Sequence, residues 1–495
     1  MYPNAYTDFY PSRIPSQGIE REARPAYGHP IGPNWLTIAE SIYQSLDSRG
    51  INWTSIDPLA YANAGEAKPF CPLILSIGVK PHSLLYDDAV AATAVVKEIL
   101  AKAGFPDIEV AFVESVVTRS VAAGPKLLSF DPLLDDVPEL RKPFTAALGL
   151  SIAPLKYPHF EGTGSLFFRL SKDDNRTALL TCAHVARPPP VYPNTGMTHK
   201  DKSQHREEVI ALGNMGYTNA VKAMMSTISN RLCSIDAWND ALDGLKDKGE
   251  SPRVVEKRQE YVDLVAKVKK EIQHVNALQD ERVIGFVLHA EKVEVSADPY
   301  GFTKDWALIE LYDEKIDWAN FKGNKVYVGG NLSIAEYGNP MFPWPADQAN
   351  YQYPEDGLLQ ASSIVPADET RNPQNLDGIG EQCLLVVKHG LATGTTVGRI
   401  GSLESFTRTH DDHGIKQTSL ALTVLAYDDR AHGKFSDPGD SGSIVLTREG
   451  RIVGLIIGGA GPSDETDIMY VTPYWWIEKE IKAKYPGCFL YQVVQ

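Results

Sequence analysis

Several things this sequence has little of narrow it first. Its 495 residues contain five cysteines, at positions 71, 182, 233, 383 and 488, and none in Cys-x-x-Cys spacing. So sparse and odd a set gives no disulfide framework and no zinc signature, and it reads as reduced thiols in an intracellular, cytoplasmic protein. No apolar run approaches the roughly 18 residues a membrane-crossing helix needs, so no membrane partner is expected. The opening stretch MYPNAYTDFYPSRIPSQGIEREARP lacks a basic segment leading into an apolar core, and no secretory signal is read there. Basic residues are in deficit, 48 Lys and Arg against 63 Asp and Glu, for a formal charge of −15. That balance argues against nucleic-acid partners, which are held by basic patches.

Apolar residues make up 43% of the chain, enough for ordinary cores. Residues 1–68 are rich in Pro, Tyr, Ser and Asn and are expected to be a largely irregular arm, with one helix around 36–48. Residues 69–147 suggest a small α/β module. PLILSIGV at 72–79 reads as a buried strand, and DDAVAATAVVKEILAKAG at 87–104 as a helix. That helix has Ala89, Ala92, Val96, Ile99 and Leu100 on one stripe and Gly104 past its end. DIEVAFVESVV at 107–117 follows as a second strand. A surface for a regulatory protein is expected on this module.

From 148 to 485 the texture becomes short strands divided by Gly and Pro turns, which predicts a mainly β domain. Two helical patterns interrupt it at 203–280 and predict an inserted helical hairpin. Val221, Met225, Ile228 and Leu232 would form one side of its seam, and Tyr261, Val265, Val268, Ile272 and Val275 the other. Residues 325–380 read as a Pro- and Asn-rich connection between two β halves, and 486–495 as a tail.

One phrase carries chemistry. KFSDPGDSGSIV at 434–445 holds a serine, Ser441, in a Gly-flanked turn before an apolar strand. A serine nucleophile needs a base to take its proton, an acid to orient that base, and donors for the oxyanion. His184 ends the apolar strand ALLTCAH, and Asp305 precedes the strand WALIEL. Taken alone, each has an ordinary structural explanation, as a satisfied histidine or an edge charge.

Together TCAHV, DWALIEL and PGDSGSIV occur in the order His, Asp, Ser, and they resemble the three signature segments of trypsin-like serine peptidases. EGTGSLFFRL at 161–170 and VVKHGLATGTTVGRI at 386–400 are similar to further strands of that family. GRIVGLIIGG resembles the strand that binds substrate backbone. The resemblance implies a fold of two orthogonal six-stranded antiparallel β-barrels, with the active site in their cleft. It implies a serine endopeptidase acting on polypeptide substrates without cofactor or metal. His184 would be the general base and acid, Asp305 its orienting carboxylate and Ser441 the nucleophile, with the amides of Gly439 and Ser441 as oxyanion hole. Phe435 would stand at the pocket floor, with Ile457, Gly458 and Gly459 beside it.

The sequence departs from the family pattern in places. Val185 replaces a cysteine that usually follows the histidine, and Ser443 replaces a glycine. The family resemblance also asks for a positive partner to Asp440, which either lies inside the chain or is freed by cleavage near 140–150. Two other readings stay open: an idle trypsin-like domain serving as an interaction or regulatory scaffold, and a non-proteolytic hydrolase. HDDH at 410–413 reads as a solvated turn rather than a metal site.

Overall fold

Every residue of LILSIGV is buried, and the chain's own helices cover the face that carries Leu73, Leu75, Ile77 and Val79. In the computed structural model, strand β1 (Arg21–Arg24) is followed by helix α1 (Trp35–Ser48) and strands β2 (Trp53–Asn63) and β3 (Leu73–Val79). Helix α2 (Tyr86–Lys102) leads to β4 (Glu109–Glu114) and the short β5 (Val116–Thr118). The residues described are 21–63, 72–118, 148–201, 203–243, 252–277, 282–296, 301–316, 318, 321, 323–329, 332–354, 357–410, 416–427, 434–461 and 468–491.

β3 and β4 are parallel across α2, as a β-α-β pattern requires. Ala89, Ala92, Val96 and Leu100 of α2 join Trp35, Ile42 and Leu46 of α1 over Leu75, Ile77 and Val110. Asp87 and Asp88 open α2 and Lys102 closes it, each charge at the helix end it favours. The arm expected to be irregular through residue 68 forms regular elements between 21 and 63, with β2 its longest strand. Pro58 and Asp57 in the middle of β2 masked its strand character. Residues 1–20 and 119–147 lie outside the described residues.

The next sheet contains β6 (Leu150–Pro154), β7 (Gly162–Gly164), β8 (Phe167–Arg169) and β9 (Thr177–Thr181). A one-turn helix α3 (Ala183–Ala186) follows, then β10 (Met197–Thr198) and β11 (Glu208–Ala211). Helices α4 (Asn214–Asp243) and α5 (Pro252–Ala277) form the hairpin, packed on each other. β12 (Val283–Ala290), a small hairpin β13 (Glu294–Val295) with β14 (Thr303–Lys304), and β15 (Ala307–Leu311) complete this half. Val265 is buried and Val221 half-buried, but Met225 and Leu232 are 50% and 40% exposed. The expected seam on the first helix is therefore corrected: those two residues face outward, because a two-helix hairpin covers only one side of each helix.

The connection carries β16 (Lys325–Tyr327), helices α6 (Ile334–Met341) and α7 (Pro345–Asn350), β17 (Leu358–Gln360) and helix α8 (Ala367–Arg371). Beyond it come β18 (Leu385–Gly390), β19 (Gly394–Ile400), β20 (Ser405–His410), β21 (Lys416–Ala426), β22 (Ile444–Thr447), β23 (Ile452–Gly461) and β24 (Ile468–Pro473). Helix α9 (Tyr474–Lys484) and β25 (Phe489–Leu490) are the last elements among the described residues.

The fold is mainly β. In the second half the pairing runs β19-β18-β22-β23-β24-β21, and β19 also pairs with β21, so these six strands close on themselves. The first half follows the path β25-β8-β9-β15-β12-β11-β6-β7, which does not close by pairing among the described residues. The α/β part is not separate: β2 pairs with β20, opposite residues being Ser55 with Thr407 and Ile56 with Phe406. Alternate residues along β18 and the residue just before it divide between two clusters. Leu385 and Val387 enter the large one shared by both halves, while Leu384 and Val386 pack with Phe435 in a smaller one.

Candidate functional site

β9 is buried at every position, and the one-turn helix α3 that follows places His184 at its mouth. Asp305 sits just before β15, which pairs with β9 so that Ala307 lies opposite Thr181. This register delivers the carboxylate to the imidazole. Asp305 Oδ2 lies 2.7 Å from His184 Nδ1, and Oδ1 accepts the backbone N–H of His184 at 3.0 Å. An ionised carboxylate only accepts, so the ring proton belongs on Nδ1 and the Nε2 lone pair is left for other work.

Ser441 arrives from the other half, in the turn before β22. Gly439 has φ +107 and Gly442 has φ +92, both in the region that favours glycine. At Gly442 a side chain is excluded by space as well, since a Cβ would lie 2.1 Å from the Thr163 carbonyl. Thr163 of β7 fastens the turn to the first half. Its N–H donates to the Ser441 carbonyl at 2.9 Å and its hydroxyl to the Gly439 carbonyl at 2.9 Å. One carbonyl also links the two approaches: Ile456 O accepts from Gly442 N–H at 2.9 Å and from Cys182 Sγ at 3.1 Å. The residues flanking Ser441 and His184 thus meet on a single atom.

Within the turn, Asp440 N–H donates to Asp437 O, Gly442 N–H to Ile456 O and Ser443 N–H to Asp440 O. The amides of Gly439 and Ser441 make no such bond among the described residues. Two side-chain atoms are similarly unspent. His184 Nε2 and Ser441 Oγ are shut from solvent, and neither has a hydrogen-bond partner among the described residues. His184 is 0% and Ser441 1% exposed. Burying an unpaired polar atom costs about 1–3 kcal/mol, and such atoms concentrate where a fold reserves them for a ligand or a reaction.

Asp440 has an internal partner. Lys388 of β18 places Nζ 3.0 Å from Asp440 Oδ2, with both side chains fully buried. Asp440 also accepts from Ala392 N–H at 2.7 Å, from the Thr393 hydroxyl at 2.7 Å and from Asp437 N–H at 3.1 Å. Burial alone would raise the Asp440 pKa, but the Lys388 charge and these donors outweigh it and hold the carboxyl below its usual value. Of the two routes left open by the sequence, the structure shows an internal cation. Lys388 lay within the quoted stretch VVKHGLATGTTVGRI; a lone lysine inside an apolar strand was its signal.

The expected pocket residues are all buried. Phe435 is 2% exposed and packs in the smaller apolar cluster with Val386, Ile400 and Val445, while its carbonyl accepts from Thr396 at 2.6 Å. Its side chain is part of the core there. Ile457, Gly458 and Gly459 are buried along β23, where Gly459 lies opposite Thr118 of β5. Cys182, His184 and Asp305 bring donor atoms within 4.8 Å of one another, yet Sγ points to Ile456 O and Nδ1 to Asp305. His410 ends β20, and residues 411–413 of the HDDH stretch lie outside the described residues. The four described cysteines form no disulfide with one another, and none of the described helices is long and apolar enough to cross a membrane. No protein-family model matches the chain, and no curated protein matches it either.

Proposed function

We propose that this protein is a serine endopeptidase of trypsin-like, two-barrel design, with Ser441 as nucleophile. The observations that carry the reading are a buried His184–Asp305 pair whose Nε2 is unspent and a buried Ser441 hydroxyl without a partner, with Cys182 and Gly442 beside them bonded to the same Ile456 carbonyl. In the first step Ser441 Oγ attacks the peptide carbonyl carbon as its proton passes to His184 Nε2. The oxyanion forms in reach of the Gly439 and Ser441 amides. Collapse breaks the C–N bond, His184 returns the proton to the leaving amine, and an acyl-serine remains. Water attacks that ester with His184 again as base, releasing the acid and restoring the hydroxyl. Asp305 holds the ring in the right tautomer and stabilises the imidazolium throughout.

The complete burial of His184 and Ser441 favours a second reading, an idle domain used as a scaffold. Labelling with a small fluorophosphonate, followed by hydrolysis of an unstructured fluorogenic peptide, separates the two. Under the peptidase reading the wild type is labelled at Ser441 and cleaves the peptide, while Ser441→Ala folds but does neither. His184→Ala should lower labelling by about 10³-fold or more. Equal labelling of wild type and Ser441→Ala would remove Ser441 from the mechanism.

A further inference from the structure

β23 is covered along one edge by β24, from Gly454 opposite Pro473 to Ala460 opposite Ile468. Its other edge is shared by three things in sequence. β22 takes residues Ile452–Leu455, and the nucleophile turn takes Ile456, whose N–H donates to Ser443 O and whose carbonyl accepts Gly442 N–H. Past Ile457 and Gly458, which take no strand partner on this edge among the described residues, β5 takes the rest. Val116, Val117 and Thr118 pair antiparallel with Gly461, Ala460 and Gly459. β5 and Ser441 therefore lie along the same edge, and β5 runs N to C from Gly461 toward the serine.

An extended chain laid on this edge in that direction advances roughly 3.3 Å per residue. It would bring a carbonyl to Ser441 two or three residues past the position opposite Gly459. β5 thus stands where the residues on the N-terminal side of a scissile bond would stand. We infer that β5 occupies the peptide-docking edge of β23 in cis, so that a polypeptide substrate must displace it to reach Ser441. This rests on the peptidase reading above.

The module sets β5 in place. A single residue, Ser115, separates it from β4; the Ser115 N–H donates to Val79 O at 2.9 Å, and its carbonyl accepts from the Thr54 hydroxyl at 3.0 Å. Val117 is half-buried against the large core cluster, opposite Ala460. Gly458, Gly459 and Ala460 raise no bulky side chain beside that position. The partner that fits in trans is an unfolded segment with an apolar, β-branched residue opposite Ala460, bound mainly by its main chain. Three residues of pairing make a short strand that can leave, and tethering returns it.

The test uses the full chain. Val117→Pro and the double variant Val116→Pro/Thr118→Pro together remove every N–H that β5 could give to β23. In a third variant, Val117→Cys/Ala460→Cys, a disulfide locks β5 down. Three readouts are taken: fluorophosphonate labelling of Ser441, kcat/KM on the unstructured peptide, and anisotropy binding of labelled Glu-Ser-Val-Val-Thr, the sequence of residues 114–118. The proline variants should raise kcat/KM by tenfold or more and bind the free peptide, which the wild type does not. The oxidised lock should lose peptide turnover and recover it on reduction. Folded proline variants with unchanged turnover and no peptide binding would overturn the inference, while Ser441 labelling would leave the peptidase reading standing. Absence of labelling in every variant removes the peptidase reading, and peptide binding alone then decides whether the edge docks a chain. If the proline variants do not fold, the reducible lock decides.

Discussion

At the scale of single residues, the nucleophile turn is held by a charge that no solvent screens. Lys388 and Asp440 are both fully buried, and removing one partner strands the other charge in the interior. Lys388→Met should lower unfolding free energy by about 3–5 kcal/mol in urea titrations and reduce fluorophosphonate labelling of Ser441. Adding Asp440→Asn should recover much of the stability without restoring labelling, because the amide cannot reproduce the fan of bonds from Ala392, Thr393 and Asp437. Recovery of both would mean that the pair matters to the fold and not to the turn. His184, Asp305 and Ser441 were legible because their motifs are short and contiguous. The role of Lys388 was not legible in VVKHGLATGTTVGRI, since its pairing with Asp440 depends on how β18 folds beside the turn 52 positions away. The packing of Phe435 was not legible for a related reason: distance along the chain from Ser441 does not say which of two clusters a side chain enters.

At the scale of elements, the helical hairpin is an insertion between neighbouring strands. Ala211 N–H donates to Arg282 O at 2.9 Å, so β11 and β12 already meet where the hairpin leaves and returns. Its root is a buried carboxylate. Glu161, from the loop before β7, accepts the Gly216 N–H at 3.1 Å in the first turn of α4, where the helix dipole favours an anion. Replacing residues 213–281 by a short Gly-Asn turn should leave the β halves folded and Ser441 still reactive. The excised protein should melt lower until Glu161→Gln removes the carboxylate left without its helix. Calorimetry and probe labelling check this, and loss of the fold in both forms would make the hairpin part of the core. The existence of two helices was legible from their periodicity, but their faces were not. Met225 and Leu232 follow the same spacing as the buried Val265 in its own helix and yet face outward. Period alone fixes which residues share a stripe, and only the neighbour decides whether that stripe is covered.

At the scale of the whole molecule, the N-terminal strands continue the sheet of the second half, and one acid sits in the join. Asp57 of β2 is buried and accepts from the Tyr470 hydroxyl of β24 at 3.2 Å, with the hydroxyls of Ser405 of β20 and of Ser55 near enough to favour its charged form. The sequence hid this junction, because an Asp-Pro pair reads as a loop until a partner strand is known. Burial raises the Asp57 pKa from 3.8 to about 6, the hydroxyl donors offsetting only part of that rise. Between those values the folded protein keeps the proton and the unfolded chain has released it. The folded state therefore binds more protons, and stability falls as pH rises. The contribution is complete below about 3.8 and lost above about 6, and two pH units correspond to about 3 kcal/mol. Asp57→Asn keeps an acceptor for Tyr470 and has no charge to bury. Its urea midpoint should gain on the wild type steadily from pH 4 to pH 7, by up to about 3 kcal/mol, and level off beyond. Two curves that stay parallel across that window would show that Asp57 ionises in the join as easily as in water. The sheet would then be open there, and the N-terminal strands, β5 included, would be joined to the second half more loosely than their pairing implies.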